Sequence, residues 1–195
     1  MVKAVIFDYG GVMGTSTTWQ EAVKGAPGLA RFDSFLDAIK ATGAHWQTAK
    51  VGGNTAPFWQ ALSELIEKPP DEVKELLIST AHPDSVMLEL VDRLRKKYKV
   101  ALLSNHINDW LEPIIATGDL RSKFDVIVTS YEQKIAKPDA RIFKTVLNEL
   151  DVKPEHAVFI DDQSHNVAAA RDLGMTGLDF ESVGKLKEDL NKLGI

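Results

Sequence analysis

The chain has 195 residues, 23 basic and 28 acidic side chains, a net charge of −5 and no cysteine. That length suffices for one α/β core plus a small accessory domain, and the missing cysteine excludes disulfides and thiol nucleophiles. The negative balance, with no long basic run, argues against nucleic acid as partner, and no apolar run approaches membrane-spanning length. With no leader-like segment ahead of the first apolar run, the expectation is a cytoplasmic protein that acts on a small molecule rather than on nucleic acid or a membrane.

The first element is a strand. Residues 2–7 are mostly apolar and β-branched, which suits a strand covered on both faces. The run stops at Asp8 and breaks into Tyr9-Gly10-Gly11-Val12, where glycine lets the backbone turn sharply and bring its N–H groups close to an anion. From about residue 15 to 82 the pattern becomes helical. Residues 30–42 place Phe32, Phe35, Leu36 and Ile39 at helical spacing, and residues 57–66 do the same with Phe58, Ala61, Leu62, Leu65 and Ile66. A third helix opens at Pro70-Asp71, and turns are expected at 25–28 and at Gly52-Gly53-Asn54. No strand pattern interrupts this stretch.

After His82-Pro83 strands and helices alternate. The expected helices cover 85–98, 109–117, 139–150, 166–173 and 181–193, and the strands 99–103, 125–129, 157–160 and 176–180. Such alternation predicts a parallel sheet with right-handed crossovers. The fold class is therefore α/β, a Rossmann-like core of five parallel strands, with an all-helical cap inserted after the first strand. Residues 1–14 and 83–195 form the core and 15–82 the cap.

Three strands end in polar groups: Asp8, Ser104-Asn105 and Asp161-Asp162. Lys137 precedes Pro138-Asp139 at a helix start. In a parallel sheet these ends share one edge, where ligands bind in open α/β folds. Three converging carboxylates need a cation, and hard oxygen ligands favour Mg²⁺. Lys137, Ser104, Asn105 and the turn N–H groups then cradle a tetrahedral anion. An aspartate facing a metal and an anion cradle can carry out phosphoryl transfer through an aspartyl-phosphate.

In these residues the chain resembles the haloacid-dehalogenase superfamily of hydrolases. Its four motifs appear in order as Phe7-Asp8-Tyr9-Gly10-Gly11-Val12, Leu103-Ser104-Asn105, Lys137-Pro138-Asp139 with Ile142-Phe143, and Phe159-Ile160-Asp161-Asp162 with Asn166-Val167 and Gly174-Met175. The resemblance implies a Mg²⁺-dependent phosphatase with Asp8 as nucleophile and metal ligand. It further implies that Ser104, Asn105 and Gly11 bind the substrate phosphate and that Lys137 balances charge at the reaction centre. Asp161, Asp162 and the Gly10 carbonyl complete the metal site, and the helical insert is a cap that closes over it.

One position departs from the family pattern. The usual Asp-x-Asp, whose second Asp is general acid and base, reads here Asp8-Tyr9-Gly10. Sequences of the Asp-x-Gly-(Gly/Asn)-Val type include some resembling sugar phosphatases, so a sugar phosphate is one substrate class implied. Protonation of the leaving group then falls to another residue, and His106 and His165 are the candidates. General acid catalysis is worth on the order of 10²–10⁴-fold, so its loss implies slow turnover. Two alternatives follow. One is a haloacid dehalogenase using Asp8 on a carbon–halogen bond, against which the Asp161-Asp162 pair counts because such enzymes use no metal. The other is a low-activity or non-catalytic binding protein on the same fold.

Overall fold

In the computed structural model, which describes residues 1–14, 26, 28, 31–32 and 35–195, the core is a five-stranded parallel sheet. The strands are β1 (Ala4–Phe7), β2 (Lys99–Ser104), β3 (Val126–Thr129), β4 (Ala157–Asp161) and β5 (Thr176–Asp179), in the order β3-β2-β1-β4-β5. The expected α/β class with five parallel strands is thus observed. β1 sits at the centre, hydrogen-bonded on both sides. Phe7 lies level with Leu102 and Ile160, so the three polar strand ends emerge at the same height.

Strand alternation divides the apolar residues between two cores. Val5, Phe7, Val100, Leu102, Val158 and Ile160 face one side, and Ala4, Ile6, Ala101, Leu103 and Phe159 the other. The second face is covered by α9 (Ala140–Leu150) and α10 (Ser164–Asp172), which contribute Ile142, Phe143, Val146, Leu147 and Ala170. The first is covered by α5 (Ser85–Leu94), α6 (Asn108–Thr117) and α11 (Val183–Lys192). Three of these helices, α5, α9 and α11, start where their sequences supply caps. The Asp84 carboxylate accepts from the N–H groups of Val86 and Met87, Asp139 from that of Arg141, and the Ser182 hydroxyl from that of Lys185.

Between Gly14 and Pro83 the described residues contain no strand. They form α1 (Phe35–Ala41), α2 (Ala44–Ala49), α3 (Ala56–Ile66) and α4 (Pro70–Thr80). Residue 19 and half of the turn expected at 25–28 lie outside the described residues, as does part of the helix expected at 30–42. Three short helices depart from expectation: α2, α7 (Leu120–Lys123) and α8 (Ser130–Gln133). Each spans fewer than two turns, too little for a 3.6-residue period to register. The helix expected to run to residue 98 stops at Leu94, whose carbonyl accepts from both Lys97 and Tyr98 and turns the chain into β2.

Candidate active site

β1 delivers Asp8 immediately after its last residue, and the Asp8 N–H donates to the Ile160 carbonyl at 2.9 Å. Parity places Asp8 with Ile6, and Asp161 with Phe159, on the sheet face covered by α9 and α10. The turn before α9 brings Lys137 to that face. Its Nζ donates to Asp8 Oδ1 at 2.7 Å, to Asp161 Oδ2 at 2.6 Å and to the Leu103 carbonyl at 2.9 Å. The Lys137 side chain is 1% exposed and those of Asp8 and Asp161 are 9% and 0%. A charge cluster this deeply buried costs desolvation energy that a surface pair does not.

Carboxylate oxygens of Asp8, Asp161 and Asp162 lie within 4.8 Å of one another. Burial pushes the Asp8 carboxyl up to about 8 against the pull of Lys137, with the Asp161 and Asp162 charges adding to the rise. Asp162 is raised by burial and by Asp161, and Lys137 is raised by its two carboxylates against its own burial. The three carboxylates carry more negative charge than one lysine offsets, and the donor set is all hard oxygen. These residues fit a hard divalent cation.

The carboxylates are not equivalent. Asp161 accepts from Lys137, from the Gln163 N–H at 2.8 Å, and from Asn166 Nδ2 at 3.1 Å on each oxygen. Asp162 accepts only from the Gln163 side chain at 3.0 Å, among the described residues, and is the most exposed of the three. Asp162 therefore has the freer oxygen to offer a metal. Asn166 sits in the fourth motif, but nothing in its residue type announced that it would hold Asp161 from both sides.

The turn after Asp8 is tightly wound, with the N–H groups of Met13 and Gly14 both donating to the Tyr9 carbonyl. Gly11 has φ 77°, and a Cβ there would lie 2.5 Å from Asp162 Oδ2. Both conformation and space require glycine at that position. Gly10 is exposed, lies outside the left-handed region, and would present a Cβ to open space, with nothing within 4 Å. The position of the missing acid is physically open.

Ser104 ends β2 fully buried, and its Oγ has no hydrogen-bond partner among the described residues. A buried hydroxyl beside the cluster and without a partner suits an anion that would supply one. Asn105 does something else. Its Nδ2 donates to the Lys137 carbonyl at 2.9 Å and its Oδ1 accepts from the Lys137 N–H at 2.8 Å. Both ends of the amide are committed to holding the lysine's backbone, so Asn105 positions Lys137.

Neither histidine takes the expected place of an acid. His106 is 7% exposed, and its ring lies 4.6 Å from that of Trp110, with Tyr9 and Trp46 at 6.3 and 6.4 Å. Burial lowers its pKa to about 4. Its Nδ1 accepts from the Ile107 N–H at 3.0 Å, so near neutrality it is an uncharged imidazole with no proton to spare on that nitrogen. His165 is exposed in the first turn of α10, and His45 is exposed on α2. Trp46, Trp59 and Tyr9 pack into the apolar core. Two further polar groups, on α8 and α6, tie the helical segment to the rest of the chain. The Ser130 Oγ donates to the Lys50 carbonyl and accepts from the His106 N–H. Asp109 Oδ2 accepts from Thr55, Trp59 and Lys74. Neither residue carried a signal in the sequence.

A hollow of about 730 Å³ lies at the opposite, amino-terminal edge of the sheet, lined by Lys3, Lys144 and His156. It is remote from this chemistry. None of the helices, among the described residues, is long and apolar enough to cross a membrane.

Residues 2–174 match the family described as haloacid dehalogenase-like hydrolase. Over 97% of its length the chain is 27% identical to D-ribitol-5-phosphate phosphatase of Bacteroides thetaiotaomicron, of which it covers 97%. Over 96% it is 24% identical to (S)-2-haloacid dehalogenase 1 of Pseudomonas sp. (strain CBS-3), covering 88%. A solved HAD family enzyme from Bacteroides thetaiotaomicron, an Asp-to-Ala mutant in complex with magnesium and inorganic phosphate, superposes with a TM-score of 0.72 at 25% identity, over 94% of this chain and 96% of that one. With the family model spanning most of the sequence and the four motifs meeting at one sheet edge, the chain belongs to the haloacid dehalogenase-like hydrolases.

Proposed function

We propose that the chain is a Mg²⁺-dependent phosphatase acting on a small phosphorylated metabolite, with sugar phosphates among the candidates. The observation that carries this reading is the buried Asp8–Lys137–Asp161 cluster, with Asp162 beside it and the Ser104 hydroxyl without a partner among the described residues. The phosphatase relative and the magnesium and phosphate complex of the structural relative support it. The ion would be held by Asp8, Asp162 and the Gly10 carbonyl, with Asp161 behind them, and when bound it offsets charge on the phosphoryl oxygens.

The chain's own residues divide the remaining work. Ser104 binds a phosphoryl oxygen, whereas the Gly11 N–H, expected to do the same, is committed to the Gly14 carbonyl at 3.0 Å, so Gly11 serves the site by its close approach to Asp162. Lys137 holds the Asp8 carboxylate in line and balances the charge that gathers there. An Asp8 oxygen attacks phosphorus, the bond from phosphorus to the ester oxygen breaks, and that oxygen leaves as the anion, taking its proton from water where its basicity demands one. Water then attacks the aspartyl-phosphate, releasing phosphate and restoring the Asp8 carboxylate. Residues 15–82 act as the cap over a core of residues 1–14 and 83–195, excluding bulk water while Asp8 is phosphorylated.

A second reading has its own support. Gly10 removes an acid that displacement of halide does not need, and a dehalogenase is among the relatives. The test is one purified sample assayed three ways: p-nitrophenyl phosphate with Mg²⁺, the same substrate with EDTA, and halide release from a 2-haloacid. Phosphate release that EDTA suppresses and Mg²⁺ restores is expected. Halide release unaffected by EDTA would replace this reading with the dehalogenase, and no turnover in any arm would leave a binding protein.

A further inference from the structure

The helical segment contributes one cation that nothing among the described residues balances. Of its described basic residues, Arg31 pairs with Glu67, Lys40 with Asp37, Lys68 with Glu72 and Lys74 with Asp109. Lys50 has no ion-pair partner among the described residues. It is also only partly exposed. Burial, with no carboxylate set against it, holds its ammonium below the ordinary lysine value. A half-buried ammonium without a counter-charge is unfavourable in the free protein, and a ligand anion would relieve it.

The backbone fixes where Lys50 stands. Lys50 follows the last residue of α2, and its carbonyl accepts from Ser130 Oγ at 2.5 Å. Ser130 follows the carboxyl end of β3, where Thr129 lies level with Ser104. The same Ser130 hydroxyl accepts from the N–H of His106, two residues after Ser104. Gly52 comes so close to the Tyr131 carbonyl that a Cβ there would lie 2.6 Å from its oxygen. Lys50 also stands one helical turn from Trp46, whose ring meets that of His106 at 6.4 Å. The lysine is therefore pinned over the sheet edge that carries Ser104, on the β3 side, away from the carboxylates that end β1 and β4.

We propose that Lys50 is a specificity-determining residue that binds a second anionic group on the substrate, so that the preferred esters are phosphate monoesters whose leaving portion carries a carboxylate or a further phosphate. This rests on the phosphatase reading of the Asp8 site. Lys137 is fully engaged between Asp8 and Asp161 and is not free for a distant group, whereas Lys50, whose backbone is held at the same edge, has no ion-pair partner among the described residues.

Binding of stable phosphonates, measured by titration calorimetry with Mg²⁺ present, tests this without turnover. The probes are propylphosphonate, 3-phosphonopropionate and propane-1,3-diphosphonate, which differ only in what sits at the far end. Wild type should bind at least one of the doubly functional probes about tenfold or more tighter than propylphosphonate, through one added charge pair shielded from solvent. The carboxylate and phosphonate arms tell the two anion types apart. In Lys50→Met the preference should fall to near one, and in Lys50→Arg it should largely return. A wild-type preference near one overturns the inference and leaves the phosphatase reading standing. So does a preference that survives in Lys50→Met. Failure of all three probes to bind wild type would overturn both.

Discussion

Replacing Gly10 with Asp tests whether the missing acid explains the chain's chemistry. The substitution is sterically free: nothing lies within 4 Å of the added Cβ, the backbone is outside the left-handed region, and the residue is exposed. Losing glycine freedom in the unfolded chain is worth about 0.4–1 kcal/mol of stability, which offsets part of the repulsion from a further carboxylate near Asp8. Saturating Mg²⁺ absorbs most of the rest. On the rate side, a correctly placed general acid is worth on the order of 10²–10⁴-fold, or about 3–5 kcal/mol at the transition state. That gain applies only where the leaving oxygen needs a proton. p-Nitrophenolate leaves without one, and an alkoxide does not. The wild type should therefore favour p-nitrophenyl phosphate over an alkyl phosphate by a wide margin. Gly10→Asp should narrow the margin by raising kcat/KM for the alkyl ester by about tenfold or more. The assay is that pair of kcat/KM values in both proteins, with melting temperatures as the folding control. A folded variant that changes both esters equally would show that the residue at position 10 does not protonate the leaving group. A wild-type ratio near one would refute the reasoning, since an acid elsewhere would then already be at work.

Asp8→Asn keeps the shape and an acceptor for Lys137 but removes the nucleophile, so kcat should fall by at least about 10³-fold with little change in the far-ultraviolet circular dichroism spectrum; retention of more than a few per cent of the rate would remove Asp8 from that role. Gly11→Ala places a Cβ 2.5 Å from Asp162 Oδ2 at φ 77°; a cost of about 1–2 kcal/mol is expected, with weakened metal binding by calorimetry, whereas Gly10→Ala should leave metal binding unchanged and raise stability by about 0.4–1 kcal/mol. The Asp8 carboxyl, held at about 8 against an ordinary 3.8, favours the protonated folded state, so its contribution is complete below the unfolded value and is lost as pH rises through about 8. His106, lowered to about 4 by burial, has the opposite sign and acts only below its ordinary 6.5. Between about pH 6.5 and 8 the melting temperature in EDTA should therefore fall with pH, and Mg²⁺ should flatten the slope by replacing the proton. A flat or rising curve in EDTA would count against that account of Asp8.

The core is legible in the sequence because its strands obey one rule: each is an apolar run stopped by a polar residue, and in a parallel sheet such stops align. That rule alone brings Asp8, Ser104 and Asp161 together, and the register of β1 with β2 and β4 realises it. What stays hidden depends on approach in three dimensions. Asn105 is typical of a helix cap, and only the path of the chain before α9 turns it into a clamp on Lys137. His106 suggests an acid by its place after Ser104-Asn105, but the rings that bury it, Trp110 and, from distant segments, Tyr9 and Trp46, set its charge state. Gly10 and Gly11 are the same letter twice, yet one is obligatory and the other replaceable, a distinction set by Asp162 from the far end of the chain.

Asp109 bears on how this protein could be recombined with its relatives. Its Oδ2 gathers Thr55, just ahead of α3, the Trp59 indole of α3 and Lys74 of α4 at 2.8–3.0 Å, while Oδ1 is buried without a partner among the described residues. Every donor in that set comes from the helical segment and the acceptor from α6. A chimera that exchanged residues 15–82 for a foreign segment would strand this carboxylate, at a cost of about 1–3 kcal/mol for an unsatisfied group, unless position 109 were exchanged with it. The unit of inheritance is thus larger than the exchanged stretch: it reaches into α6 at Asp109.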